Sequence, residues 1–484
     1  MLINSAELTG ILRQYNPWWS GKRFPDMPTW KRAAFHEIVK WVEHPPAGRA
    51  LLLSGARQVG KTTLFQQTID HLLEQGVKPE NILYATFDHP LLKLAGLDGV
   101  VQLWNEIEPS KQGIEYLFLD EIQSIKDWQV WLKLQVDFQK HRRFALTGSA
   151  TPLTVEGQES GVGRWHTIKL ATLTFYEYLK LREEPLPPIP QVNSLTQLFA
   201  KPDTWFMKTG EDARPLTGLF HEYLLRGGFP QTATISSISL AQKLLREDIV
   251  DKVLKRDMTA LFGVRRVLEL EQTFLYLCLH DGGMLDMQEL SKNLEVKRPT
   301  AANFIALLEA THLIYRLMPF GYGKEVLRAR PKIYLADAAI APSVLLKGKG
   351  LLENPELLGQ ATETAFFKHV FSRFYDRSIS FSYWRGGKKG YEVDIIADIG
   401  GRLVPFEVKY RNSPAKTSDL KGLSAFCAER NIGQGYVITK DAADFGIIQL
   451  SGNSKAVKVP APLACYWLGE SETISAGNQN HKEP

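Results

Sequence analysis

Between about residue 49 and residue 180, short apolar runs alternate with longer stretches whose apolar residues recur at helical spacing. That alternation predicts a parallel α/β sheet with strands over Ala50–Ser54, Ile82–Phe87, Tyr116–Leu119, Arg143–Thr147 and Thr167–Leu170. The arm before it, residues 1–48, carries Asn16-Pro17-Trp18-Trp19, and its paired tryptophans are expected to pack on the sheet. Pro185, Pro187, Pro188, Pro190, Pro202 and Pro215 mark an irregular insertion, and helices follow to residue 262, broken by a turn at Gly227-Gly228-Phe229-Pro230. The expected divisions are an arm (1–48), an α/β core (49–182), an insertion with a helical lid-like region (183–262), a helical unit ending in strands (263–340), a second α/β region (341–470) and a polar, disordered tail (471–484).

The first predicted strand runs into Gly55-Ala56-Arg57-Gln58-Val59-Gly60-Lys61-Thr62-Thr63, a G-x-x-x-x-G-K-T loop, and helix-compatible sequence follows it. A phosphate-binding loop needs all three parts. Gly55 and Gly60 allow backbone approaches that a side chain would block, and the loop N–H groups point at phosphate together with the positive end of the next helix. In that arrangement Lys61 meets the β- and γ-phosphates of ATP and the Thr62 hydroxyl binds Mg²⁺.

Tyr116-Leu117-Phe118-Leu119-Asp120-Glu121 supplies a second apolar strand ending in two carboxylates. Asp120 is placed to hold Mg²⁺ and Glu121 to polarise the attacking water. A further strand ends in Thr147-Gly148-Ser149, whose hydroxyls are sensor candidates or simple turn caps. Arg164, in a glycine-rich loop, is a candidate arginine finger, in cis or in trans.

With these motifs, the Asn-Pro-Trp-Trp arm and Gly-Gly-Phe-Pro, nearly the whole chain resembles a prokaryotic family of AAA+ ATPases with a carboxyl-terminal domain of unknown function. The resemblance implies an AAA+ core, a winged-helix segment and a restriction-endonuclease-like domain. Ala150 departs from it, since a second hydroxyl is expected after Ser149.

The residues support the same divisions. Met287–Leu294 reads as a short helix, and a second begins near Pro299 with Phe304, Leu307 and Leu308 on its apolar face. Its polar start offers Lys297, Arg298, Thr300 and Asn303 to a DNA groove, and a basic hairpin-like segment follows with Lys324, Arg328, Arg330 and Lys332. The alternative is a winged helix used only for packing or subunit contacts.

Farther on, Asp394 sits in one apolar strand, and strand alternation puts Glu407 and Lys409 on one face of the next. With Glu363 on a preceding helix they match the PD-(D/E)xK pattern: Asp394, Glu407 and Glu363 as Mg²⁺ ligands, Lys409 steadying a hydroxide or the developing charge. Either an active nuclease or a non-cleaving nucleic-acid or protein-binding module fits that pattern.

Composition narrows this little. The 484 residues are 44% hydrophobic and 23% charged, as in ordinary globular proteins, and the net charge of +5 is compatible with DNA without demanding it. Three scattered cysteines imply neither a disulfide framework nor a zinc site, and no signal pattern or membrane-length run is seen, so the expectation is a cytoplasmic protein. The combined reading is a Mg²⁺-dependent AAA+ ATPase acting on DNA, as a homo-oligomer; the alternative is an ATP-operated switch whose carboxyl-terminal half binds a protein partner.

Overall fold

β1 (Ala50–Ser54) and β2 (Ile82–Thr86) are buried at every position. Strands apolar on both faces belong inside a parallel sheet covered by helices. With β3 (Glu115–Asp120), β4 (Arg142–Gly148) and β5 (Trp165–Lys169) they form a five-stranded sheet in the order β2-β3-β4-β1-β5, each neighbouring pair parallel. The expected strands are all present, with ends shifted by a residue or two. This is the parallel α/β sheet of a P-loop AAA+ core.

The protein is described here by a computed structural model covering all residues except 1–4, 110–111, 151–162, 322–325, 327–328, 375–378, 387–389 and 480–484, with the side chains of Leu261 and residues 475–479 also outside the description. The chain forms two compact units. One holds the parallel sheet and takes in residues up to Leu170, Ala310–His312 and the helical residues from Thr473; the other takes in Ala171–Glu309 and Leu313–Glu472.

In the first unit the arm seals a sheet edge. β2 is an edge strand, and the Asn16 side-chain amide pairs with it as a peptide would, accepting from Tyr84 N–H at 2.7 Å and donating to Tyr84 C=O at 2.9 Å. Both arm tryptophans donate their indole N–H to the Ile82 carbonyl, at 3.1 Å from Trp18 and 3.0 Å from Trp19. Unpaired strand groups that would otherwise invite a foreign strand are thereby satisfied.

The second unit carries an eight-stranded mixed sheet, in the order β12-β13-β11-β10-β9-β8-β6-β7. The strands are β6 (Ile314–Pro319), β7 (Lys332–Leu335), β8 (Ser380–Gly386), β9 (Tyr391–Ile399), β10 (Arg402–Lys409), β11 (Gln434–Thr439), β12 (Gly446–Gln449) and β13 (Lys455–Pro460). Ahead of β6 come the helices Met287–Asn293, capped by Asp286, and Arg298–Ala310, whose Phe304, Leu307 and Leu308 are buried. The helix Pro355–Phe374 packs on β7 and β10. The Gly227-Gly228 turn is clasped by Asp337, which accepts the Gly228 N–H at 3.0 Å and pairs with buried Lys368 at 3.3 Å.

One expectation fails. The polar stretch from Ser471 is not a disordered tail as far as Gln479, because the helix Ala461–Gln479 runs through it. Its first residues, from Ala461 to Leu468, are buried, and once packing has nucleated a helix each further residue adds a hydrogen bond at little cost. No described helix is long and apolar enough to cross a membrane.

Candidate nucleotide and carboxylate sites

Because the five strands run parallel, Ser54, Asp120 and Gly148 all end at the same, carboxyl edge of the sheet. Ligands of open α/β sheets bind outside that edge. The Gly55–Thr63 loop leaves β1 there and enters the helix Lys61–Glu74. A Cβ on Gly55 would stand 2.3 Å from the Leu170 carbonyl oxygen, so only glycine fits. Gly60 (φ 94°) and Gln58 (φ 62°) take left-handed backbone, which turns successive N–H groups toward one side. Arg32, from the arm, donates to the Val59 carbonyl at 2.8 Å and braces the loop.

Lys61 is buried, and its Nζ donates to the loop carbonyls of Gly55 and Ala56, each at 2.9 Å, with a Glu121 oxygen 3.9 Å away. The Thr62 hydroxyl donates to Asp120 Oδ2 at 2.8 Å, so the two expected magnesium ligands meet across the loop. Asp120 also receives the Tyr84 hydroxyl at 2.9 Å and the Thr147 hydroxyl. Burial, then the Glu121 charge, raise the Asp120 pKa; the three hydroxyl donors oppose them. Thr147 joins the two acids, since its oxygen also accepts the Glu121 N–H at 3.0 Å. Glu121 itself holds a left-handed backbone (φ 56°), a strain of about 1–3 kcal/mol for a non-glycine residue that the neighbouring contacts must hold in place.

Sequence reasoning missed several parts. Gln123 donates from Nε2 both to the Glu121 carboxylate and, at 2.8 Å, to the Ser149 hydroxyl. Ser149 thus meets the catalytic candidate through Gln123. His312, in the same compact unit, lies 2.8 Å from the Ser54 hydroxyl; burial and then Lys61 and Lys169 lower its pKa to about 3, so it is neutral. The only prior signals were a glutamine after the paired acids and a lone histidine, neither distinctive.

Arg164 lies elsewhere. Its carbonyl accepts the Ala50 N–H at 2.9 Å, at the start of β1, a strand's length from the loop at the other end. Its guanidinium forms two bonds with Asp137, at 3.1 and 3.2 Å. It therefore does not reach phosphates bound at this chain's own loop.

In the second unit, Lys297, Arg298 and Asn303 are exposed and Thr300 half-buried at the start of the helix Arg298–Ala310. Arg330 is exposed and paired with Asp286 at 2.6 Å. Lys324 and Arg328 fall outside the described residues. Lys332, read as part of a basic surface segment, is instead 4% exposed. Its Nζ stands 2.6 Å from Glu392, 3.2 Å from Asp394 and 3.5 Å from Glu363.

The expected acids do converge there. Glu363 Oε1 accepts the Tyr334 hydroxyl at 2.7 Å, Asp394 Oδ2 accepts the Val408 N–H at 2.8 Å, and Glu407 Oε1 pairs with Lys409 at 2.5 Å. Burial and then the Asp394 charge push Glu363 up to about 7 and Glu407 up to about 8, with the lysines opposing. Burial would lower the Lys332 pKa, but Glu363, Asp394 and Glu392 more than offset it and hold the ammonium charged. Among the described residues no group of three or more His, Cys, Asp or Glu side chains is arranged to hold a metal ion. The four acids as folded do not fit Mg²⁺, because an ammonium already sits among three of them.

Comparison with known proteins matches the region of the first site to a described domain type and most of the rest of the chain to domains of unknown function. Residues 47–179 match the family model of an AAA domain, while residues 217–350 and 358–461 match two models described as domains of unknown function, DUF8612 and DUF4143. A protein of Haemophilus influenzae described as uncharacterized is 29% identical over 374 residues, covering 74% of this chain and 82% of that protein. An uncharacterized protein of Methanocaldococcus jannaschii is 25% identical over 425 residues, covering 83% and 84%. Among solved structures, the Aeropyrum pernix ORC1 protein in complex with DNA aligns at 13% identity and a TM-score of 0.30, covering 66% of this chain and 94% of that one. AMPPCP-bound DnaA from Aquifex aeolicus aligns at 14% identity and 0.24, covering 56% and 86%.

Proposed function

We propose that this chain binds ATP with Mg²⁺ at the loop after β1, hydrolyses it, and uses the nucleotide state to control DNA binding by its carboxyl-terminal half. The observation that carries the reading is the meeting of Lys61, Thr62, Asp120 and Glu121 at the carboxyl edge of one parallel sheet. The donor set fits a magnesium nucleotide: a threonine hydroxyl and a buried carboxylate, already hydrogen-bonded, beside a lysine within the loop. Mg²⁺ when bound would offset phosphate charge. Lys61 would exchange two loop carbonyls for phosphate oxygens, and Glu121 would orient the attacking water, positioned by Thr147 and Gln123. Arg164 could complete the charge only in another copy, which makes a homo-oligomer part of the proposal.

For DNA, the support is the exposed face of Lys297, Arg298 and Asn303 at the start of the helix Arg298–Ala310, within a proposed winged helix over residues 263–340. The proposed PD-(D/E)xK-like domain over 341–470 would serve as a binding module. ATP turnover should require Lys61, vanish in Lys61→Ala, and rise with duplex or branched DNA in a manner weakened by salt. Full turnover by Lys61→Ala would refute the reading.

A protein-partner switch is the second reading. It is favoured by the burial of Lys332, which removes one basic group from the DNA face, and by the pairing of exposed Arg330 with Asp286, which offsets the charge of another. Turnover flat across all DNA forms, with no mobility shift at low salt, would select it.

A further inference from the structure

β7 delivers a lysine where a divalent cation would be expected. Lys332, at its first residue, projects between Glu363 of the helix Pro355–Phe374 and Glu392 and Asp394 of β9, with Nζ within 3.5 Å of an oxygen on each. Nearby Glu407 is 6% exposed, and its Oε2 has no hydrogen-bond partner among the described residues. The cluster therefore has a tethered cation at one side and a buried carboxylate oxygen without a partner at another. Buried carboxylates gather only when positive charge gathers with them.

We propose that Lys332 is the resident cation of this cluster and that its ammonium excludes divalent metal from Glu363, Asp394 and Glu407. An ammonium tethered to the backbone is present at far higher effective concentration than free metal ion, so it wins unless β7 withdraws. The Lys332 charge satisfies the acids but offers no open coordination position, no Lewis acidity and no bound water. This inference is independent of the ATPase reading and rests only on contacts within the second unit.

Mn²⁺ alone, added to the full-length chain without nucleotide and followed by the electron paramagnetic resonance of free Mn²⁺, tests it. Wild type should bind no Mn²⁺ that Asp394→Asn abolishes. Lys332→Gln should gain one site, at least about tenfold tighter than anything in wild type, and Lys332→Gln/Asp394→Asn should lose it. Lys332→Arg, which keeps the charge, should gain none. An Asp394-dependent site in wild type would overturn the proposal, and that measurement needs no substitution at Lys332. So would a folded Lys332→Gln chain, judged by circular dichroism, that gains no site.

Discussion

Tyr84 donates its phenolic hydrogen to Asp120 at 2.9 Å from the neighbouring strand. A tyrosine in an apolar strand normally reads as core, yet this one's hydrogen bond opposes the rise that burial imposes on the pKa of a buried acid beside the Gly55–Thr63 loop. The same residue's backbone is bonded to Asn16, so the arm fixes the strand that carries the hydroxyl.

Tyr84→Phe should raise the Mg²⁺ concentration needed for half-maximal ATP turnover by about three- to tenfold, since a hydrogen bond to a charged group contributes roughly 1.5–3 kcal/mol, only part of which bears on metal affinity. The sign follows from the remaining balance: burial and Glu121 already raise the Asp120 pKa, and losing a donor raises it further, so protons compete better with metal. A magnesium titration of turnover checks this, and an unchanged requirement would remove Tyr84 from the site.

Gln123→Ala should lower kcat about three- to tenfold and leave KM for ATP nearly unchanged, because Gln123 touches Glu121 and Ser149 rather than the loop. Steady-state kinetics separate the two parameters. A loss confined to KM would place Gln123 in nucleotide binding instead.

Asp281 gives a pH signature to the second unit. It is fully buried, accepts the Leu335 N–H at 2.9 Å and the Thr364 hydroxyl at 2.7 Å, and burial pushes its pKa up to about 7. The folded chain thus holds a proton that the unfolded chain releases above its ordinary carboxyl pKa near ~4. Stability from this group is fully present below that pH and is lost as pH rises through about 7. Asp281→Asn should abolish this slope, gaining on the order of 3 kcal/mol relative to wild type between pH 4.5 and 8, less whatever the amide costs in hydrogen bonding. Parallel urea melts of the two proteins across that range provide the comparison; superimposable pH profiles would contradict it.

The nucleotide loop and its paired acids were legible because their chemistry is written in consecutive residues: Gly55 to Thr63 is one loop, and Asp120-Glu121 is one strand end. Alternation likewise located Asp394, Glu407 and Lys409 on adjacent strands, which pair antiparallel as β9 and β10. What escaped depends on pairing between distant segments. Tyr84 meets Asp120 only through the β2–β3 register, and Asn16 meets Tyr84 only because β2 is an edge. Lys332 was misread for the same reason. In sequence it belongs to a basic run, and only the placement of β7 against the helix Pro355–Phe374 turns it inward. Arg164 was a candidate only from its glycine-rich sequence, and the parallel pairing of β5 with β1 sets it at the strand's far end.

The sealed edge of β2 bears on how the protein can be divided. The span that matches an AAA domain begins at residue 47 and so leaves out Asn16, Trp18, Trp19 and Arg32. A fragment cut to that span would leave the Ile82 and Tyr84 carbonyls and the Tyr84 N–H open, and its phosphate loop without the Arg32 brace. Such a piece would be adhesive along one side and slack at its binding loop, so the smallest fragment that keeps the edge sealed and the loop braced starts at the arm, well upstream of residue 47.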